Sequence, residues 1–144
     1  MNAHVRMAIR RKIGYVMVHG LIPDEIKEFI LRTVDSVAQL EALLLLRANP
    51  ELKWTADAVA GRLYIRAEEA VPWLERLCAA SFLVSTGERP PLYHYQPCSA
   101  ELGQMVDRLA DVYARHLVAV THLIHSKPRT RVREFADAFR LKKD

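Results

Sequence analysis

Apolar positions recur at helical spacing along most of this chain and alternate with polar positions in one short central stretch. The segments SVAQLEALLLLRAN, TADAVAGRL and AEEAVPWLERLCAAS each predict a helix, with Thr55 as the cap of the second. The segments FLVST and LYHYQP predict two strands of a hairpin, because GERPP between them supplies turn residues. Residues 36–97 are therefore predicted to form three helices closed by a hairpin.

A sustained apolar stripe follows this unit and predicts a helix from a cap at Ser99 to about Ser126. At roughly 27 residues it would span about 40 Å, longer than a small domain can cover. The surplus apolar face is expected to pack against a second copy of the chain or against a short helix at 23–31. The residues predicted for a dimer interface are Leu102, Val106, Leu109, Tyr113, Leu117, Val120 and Ile124.

The two ends of the chain are basic. Residues 1–16 hold four cations and no acid, and three interpretations stay open: a basic arm, a partly ordered helix, or an extension preceding the true start. The tail KPRTRVREFADAFRLKKD has an apolar stripe among basic residues, and docking within a dimer is the first interpretation. The predicted division is an arm and short helix (1–35), the three-helix unit (36–97), the long helix (98–127) and the tail (128–144).

The formal net charge of +4 is unevenly distributed. Lys and Arg against Asp and Glu number 6 to 4 in residues 1–35, 6 to 7 in 36–97, and 9 to 6 in 98–144. The three-helix unit is thus close to neutral, and the positive charge lies at the ends. A basic balance favours nucleic acid as a partner, but here the ends would supply most of the attraction.

Length and composition predict one ordinary globular domain of 144 residues, half of them apolar. No apolar run reaches the roughly 18 residues of a membrane span, and the amino terminus lacks the pattern of a secretion signal, so a cytoplasmic location is expected. Cys78 and Cys98 are too few for a disulfide framework or a zinc site and are expected to be reduced thiols.

Candidate chemistry is sparse. No nucleophile with its base, no phosphate-binding glycine loop and no paired carboxylates are visible, so the sequence predicts neither an enzyme nor a cofactor. His116, His122 and His125 do not share one helix face with an acid, which disfavours a metal site. Cys98 lies at the junction of the hairpin and the long helix, and oxidation of its thiol is a weak candidate for a sensing function.

The three-helix unit resembles the winged helix-turn-helix regulators of bacteria, broadly of the MarR and PadR types. The resemblance covers under half the chain and lies in the helix lengths, the capped second helix and the run Leu74, Leu77, Phe82, Leu83. It implies a mainly α fold with a small β-hairpin wing and a long carboxyl-terminal helix that forms a homodimer. It also implies a transcriptional regulator that binds double-stranded DNA.

By position, the resemblance assigns DNA contacts to the outward face of the third helix and to the tip of the wing. The residues so implied are Arg66, Glu69, Trp73, Arg76 and, on the wing, Arg89. Arginine suits guanine edges and phosphates, whereas Glu69 would suit only a cytosine amino group. Pro72 is expected to bend this helix.

Two other functions stay open from the sequence. In the main alternative, Trp73 is exposed and anchors a protein partner, so that the unit is a protein-interaction module without specific DNA binding. The weaker alternative is a ligand or redox sensor using a pocket between the wing and the long helix.

Overall fold

In the computed structural model of the chain, residues 20–127 are described. The elements among them are α1 (Asp24–Thr33), α2 (Val37–Ala48), α3 (Ala56–Leu63), α4 (Ala67–Ala79), β1 (Leu83–Ser85), β2 (Tyr93–Tyr95), α5 (Ala100–Arg115) and α6 (Leu117–His125). The predicted fold class, mainly α with a β-hairpin wing, is confirmed. The basic arm of residues 1–16 and the tail 128–144 lie outside the described residues.

The chain divides into two compact units. One joins Met1–Arg32 with Asp111–Asp144, and of it residues 20–32 and 111–127 are described. The other is Thr33–Ala110, which contains the predicted winged-helix segment 36–97. Helix α5 has residues in both units. Among the described residues, no helix is long and apolar enough to cross a membrane.

Side-chain caps start α2 and α3, and the cap at Thr55 is the one that the sequence predicts. Ser36 Oγ accepts a hydrogen bond from Gln39 N at 3.0 Å, and Thr55 Oγ1 accepts one from Ala58 N at 3.1 Å. Each cap satisfies an amide at the helix start that has no partner within the helix. Helix α1 begins as predicted after Pro23, with Asp24 and Glu25 in its first turn.

The core of the second unit forms where α2, α3 and α4 pack together. Helix α2 contacts α3, α4 and β2, while α4 also contacts β1. The large side chains that are fully buried in this unit are Leu40, Leu43, Leu46, Val59, Leu74, Leu77, Phe82 and Leu109. Burying one such leucine contributes about 2 kcal/mol, so this cluster is what holds α4 in place.

The wing is a short antiparallel hairpin. Leu83 pairs with Tyr95, Val84 with His94, and Ser85 with Tyr93. Trp54 adds an isolated bridge to Tyr93, with both backbone hydrogen bonds at 2.8 Å. The sequence did not predict this third, single-residue strand, which ties the segment before α3 to the wing.

The predicted long helix is divided in two. At His116 the backbone leaves the helical region, with φ −135° and ψ 51°, so α5 ends at Arg115 and α6 begins at Leu117. Hydrogen bonds continue on both sides, since His116 N donates to Val112 O at 2.8 Å and Val120 N donates to His116 O at 3.0 Å. The prediction of one continuous helix to Ser126 is corrected accordingly.

Candidate nucleic-acid interface

A tight turn joins α3 to α4 and fixes where α4 begins. Tyr64 follows α3 in the left-handed region, with φ 57° and ψ 40°, and Ile65 N donates to Ala60 O at 3.1 Å. This is the hydrogen bond that closes a helix at a left-handed residue, a position that usually carries glycine. The Tyr64 side chain is 95% exposed, so this turn presents an aromatic ring to solvent.

Arg66 stands at the amino-terminal end of α4 and is largely exposed. Its Nε lies 3.2 Å from Glu69 Oε1, one helical turn along. The side chains of Arg66 and Glu69 are 78% and 48% exposed, respectively. The sequence therefore placed both residues correctly on an exposed face, but it did not show that the carboxylate holds the guanidinium.

Arg76 and Trp73 are stacked on each other. The guanidinium carbon lies 4.9 Å from the centre of the Trp73 ring, and Arg76 Nη1 lies 3.7 Å from Asp35 Oδ2. Trp73 is half-buried, which corrects the prediction of an exposed tryptophan. The apolar face of α4 is set by Ala70, Leu74 and Leu77, so Trp73 lies at its edge and takes its cover from Arg76.

Helix α4 includes Pro72 without ending there. The helix extends from Ala67 to Ala79, and Pro72 is on its exposed side. Because Pro72 lies six residues into the helix, its missing amide costs one hydrogen bond there. Ala80 and Ser81 end the helix, where Phe82 N donates to Leu77 O at 3.0 Å across Ser81, whose φ is 70°.

Arg89 lies in the turn of the wing. The turn is fastened by Thr86, whose N donates to Leu92 O at 2.9 Å while its Oγ1 accepts from Leu92 N at 3.0 Å. The Arg89 side chain is exposed and has no ion-pair partner among residues 20–127. Of the three predicted DNA-contacting arginines, it is the one whose charge is not paired within the described part of the chain.

The surface of α3, α4 and the wing carries charges of both signs. Its exposed cations are Lys53, Arg62, Arg66, Arg76 and Arg89, and its exposed acids are Asp57, Glu68, Glu69, Glu75 and Glu88. Sequence reasoning missed Arg62 and Tyr64 as members of this surface. The signal in the sequence was their position: Arg62 lies at the end of the second predicted helix and Tyr64 just after it, shortly before the third.

The residues predicted for a dimer interface divide into three groups by their burial. Val106, Leu109, Tyr113, Val120 and Ile124 are buried in the single chain. Leu117 is 52% exposed and its neighbour Val118 77% exposed, immediately after the break at His116. Leu102 is half-buried.

The two cysteines are free thiols in different environments. Burial raises the pKa of the Cys78 thiol, and the Glu75 carboxylate raises it further, so Cys78 is held as an unreactive thiol. Cys98 is exposed. Within residues 20–127, no group of three or more His, Cys, Asp or Glu side chains could hold a metal ion.

A capped helix, a tight turn, a second helix and a hairpin wing together define a winged helix-turn-helix protein. The YusO protein from Bacillus subtilis has a similar structure, with a TM-score of 0.50 at 13% identity over 99% of both chains. Also similar are a MarR family protein from Bacillus stearothermophilus (TM-score 0.44, 12% identity, 99% of this chain and 96% of that one) and the transcriptional regulator Tm0710 from Thermotoga maritima (0.47, 13%, 95% and 93%).

At such identities the likeness concerns the fold alone. The resemblance to winged-helix proteins of the MarR type, predicted from the sequence, is confirmed at that level. No protein-family model and no curated protein sequence matches the chain.

Proposed function

We propose that this protein is a DNA-binding transcriptional regulator that contacts the duplex through α4 and the wing. The observation that carries the proposal is the exposure of all three arginines that the sequence singled out, Arg66 and Arg76 on α4 and Arg89 in the wing turn. A helix of this kind fits the major groove, and arginine is the side chain best suited to guanine edges and phosphates.

The ion pairs on α4 are weak enough for contacts with DNA to replace them. The Arg66–Glu69 pair is solvent-exposed, and the Arg76–Asp35 pair is partly exposed with its atoms 3.7 Å apart; exposed pairs contribute only about 0–1 kcal/mol each. A well-placed bidentate contact to a base discriminates by about 1–3 kcal/mol. The free energy needed to break these ion pairs is therefore smaller than the free energy gained from a base contact.

The acids of α4 make binding selective rather than strong. Glu68, Glu69 and Glu75 repel phosphates, so affinity for arbitrary duplexes should be low at physiological salt. Glu69 accepts a hydrogen bond only from a donor, and in the major groove the cytosine amino group is such a donor. We infer that the recognised site places a base with an amino donor, cytosine or adenine, opposite the first turn of α4.

The protein-interaction alternative loses the feature on which it depended. Trp73 is half-buried under Arg76 and does not stand free as an anchor for a partner.

The test uses duplexes selected from a random library by the full chain, with affinity followed by fluorescence anisotropy. Replacing Arg66 and Arg76 together by alanine should weaken binding to the selected duplex by about 100-fold or more, at roughly 1–3 kcal/mol per base contact. Arg89→Ala should weaken selected and unselected duplexes about equally, as expected for a phosphate contact.

Arg115→Ala is the matched control. Arg115 is an exposed helical arginine paired to Asp111 at 3.3 Å, much as Arg66 is paired to Glu69. It should leave affinity within about twofold, since one exposed charge outside the interface contributes little. If Arg115→Ala weakens binding as much as the change at Arg66 and Arg76, α4 is not the reading element.

A further inference from the structure

A cavity of about 320 Å³ lies beside the interface, between the start of α3, the exposed side of α4 and the wing. Ala56 contributes from α3, Ala67 and Val71 from α4, and Pro90 and Pro91 from the wing turn. Small-molecule sites have volumes of about 300–1,000 Å³ and mostly apolar walls, so this cavity matches a small ligand in both respects.

The polar groups that line the cavity are mainly carboxylates. Asp57 lies in the first turn of α3 and Glu75 in the middle of α4, and both line the cavity. Neither forms an ion pair with another of residues 20–127. Arg66 and Arg89 are sequence neighbours of the wall, yet no Lys or Arg is among the described residues that line it.

Tyr93 closes the floor of the cavity. It is 2% exposed, its backbone is held by Trp54, and its hydroxyl has no hydrogen-bond partner within the described part of the chain. Burial raises the pKa of Tyr93, and the Glu75 carboxylate raises it further, so the charge of Glu75 acts on this ring. The side chain of Tyr93 thus lines the same space as the carboxylates of Asp57 and Glu75.

We propose that this cavity binds a small organic cation with an apolar body, its charge between Asp57 and Glu75 and its apolar part against Val71, the two prolines and Tyr93. The carboxylates supply the counter-charge, and an aromatic side chain, Tyr93, lines the same space; aromatic rings attract cations. An anion would meet two like charges, and a neutral apolar molecule would gain no attraction from either carboxylate. The site is separate from the arginines of the proposed DNA interface.

The test is calorimetric titration of the full chain, without DNA, using benzyltrimethylammonium as the probe. A ligand of this size should bind with a Kd on the order of 1 mM. Benzyl alcohol and phenylacetate test the same apolar body with neutral and negative charge, and both should bind at least tenfold more weakly. Equal binding of phenylacetate, or absence of benzyltrimethylammonium binding at tens of millimolar, would overturn the proposal.

Four variants locate the site. Glu75→Gln and Asp57→Asn should each weaken binding of the cation about fivefold, as expected for loss of one partly exposed charge pair. Val71→Phe, which fills the cavity without changing charge, should abolish binding. Glu68→Gln removes an exposed acid of the same helix that does not line the cavity, and it should have no effect.

A loss in Glu68→Gln equal to that in Glu75→Gln would show attraction to α4 in general and would contradict the site. Thermal unfolding of each variant shows whether it is folded, and so distinguishes loss of the site from misfolding. Because the titration contains no DNA, its outcome is independent of the proposed regulatory function.

Discussion

At the scale of single residues, buried polar groups without a hydrogen-bond partner are informative. Tyr95 is one: its hydroxyl oxygen is buried and has no hydrogen-bond partner among residues 20–127. Leaving a buried polar group without a partner costs about 1–3 kcal/mol. Tyr95 lies near the pair formed by Arg47 Nε and Asp107 Oδ1 at 2.9 Å, within reach of its charges but not of a hydrogen bond.

Tyr95→Phe is expected to stabilise the protein by about 1 kcal/mol at neutral pH, because it removes the unpaired hydroxyl. Burial raises the pKa of Tyr95, Asp107 raises it further, and Arg47 lowers it. Because the pKa is raised in the folded state, ionisation of Tyr95 is less favourable in the fold than in the unfolded chain. The parent therefore loses stability as the pH rises through the unfolded value of about 10, and Tyr95→Phe does not lose this part.

The variant should therefore lose less stability than the parent between about pH 9 and pH 11. Urea unfolding across that range measures the difference. Tyr64→Phe, at an exposed tyrosine, is the control and should leave the pH dependence unchanged. Identical alkaline profiles for the parent and Tyr95→Phe would contradict the assignment of a buried, unpaired hydroxyl.

At the scale of elements, α3 ends in two unfavourable residues. Gly61 lies inside the helix, and a Cβ built on it meets no atom within 4 Å. Glycine there costs about 0.5–1 kcal/mol relative to alanine. Tyr64 then occupies a left-handed position that costs a side-chain-bearing residue about 1–2 kcal/mol.

Gly61→Ala and Tyr64→Gly should each stabilise the protein, by about 0.5–1 and about 1 kcal/mol. Thermal unfolding measures both changes. The matched control is Gly87→Ala, in the wing turn and also with no atom within 4 Å, which is outside any helix and should gain less. A lower unfolding temperature for Gly61→Ala would contradict the open space that the structure shows around Gly61.

Sequence periodicity predicted the positions of helices and strands better than the burial and contacts of their side chains. The caps at Ser36 and Thr55 and the hairpin strands were predictable, because each depends on local residue types. The break at His116 was not, since no proline or glycine marks it. The pairing of Arg76 with Asp35 depends on a contact distant in sequence, which periodicity does not contain.

At the scale of the whole molecule, the break at His116 changes where a second copy would bind. We propose that the dimer expected from the sequence forms through Leu117 and Val118, which are apolar and exposed. The predicted residues Val106, Leu109, Val120 and Ile124 are already buried in one chain. Two adjacent exposed apolar residues at a helix start can lie at the centre of a symmetric contact.

Replacing Leu117 and Val118 together by glutamate should shift the protein from dimer to monomer. Two charges placed at the centre of a symmetric interface would meet two like charges and lose their hydration. Sedimentation velocity measures the change. The control Leu52→Glu alters an apolar residue that is 46% exposed on a loop before α3 and should leave the mass unchanged. A parent that sediments as a monomer would contradict the proposed dimer.

The central claim is that the arginines of α4 and the wing neutralise phosphates or read bases of duplex DNA. The most direct measurement is the affinity of the full chain for its selected duplex as a function of salt. Each neutralised phosphate contributes about −0.9 to the slope of log K against log salt, so the phosphate contact of Arg89 alone gives a slope of about −1. Arg89→Ala should make the slope shallower by about 1. A slope near zero, or no binding at low salt, would contradict the account.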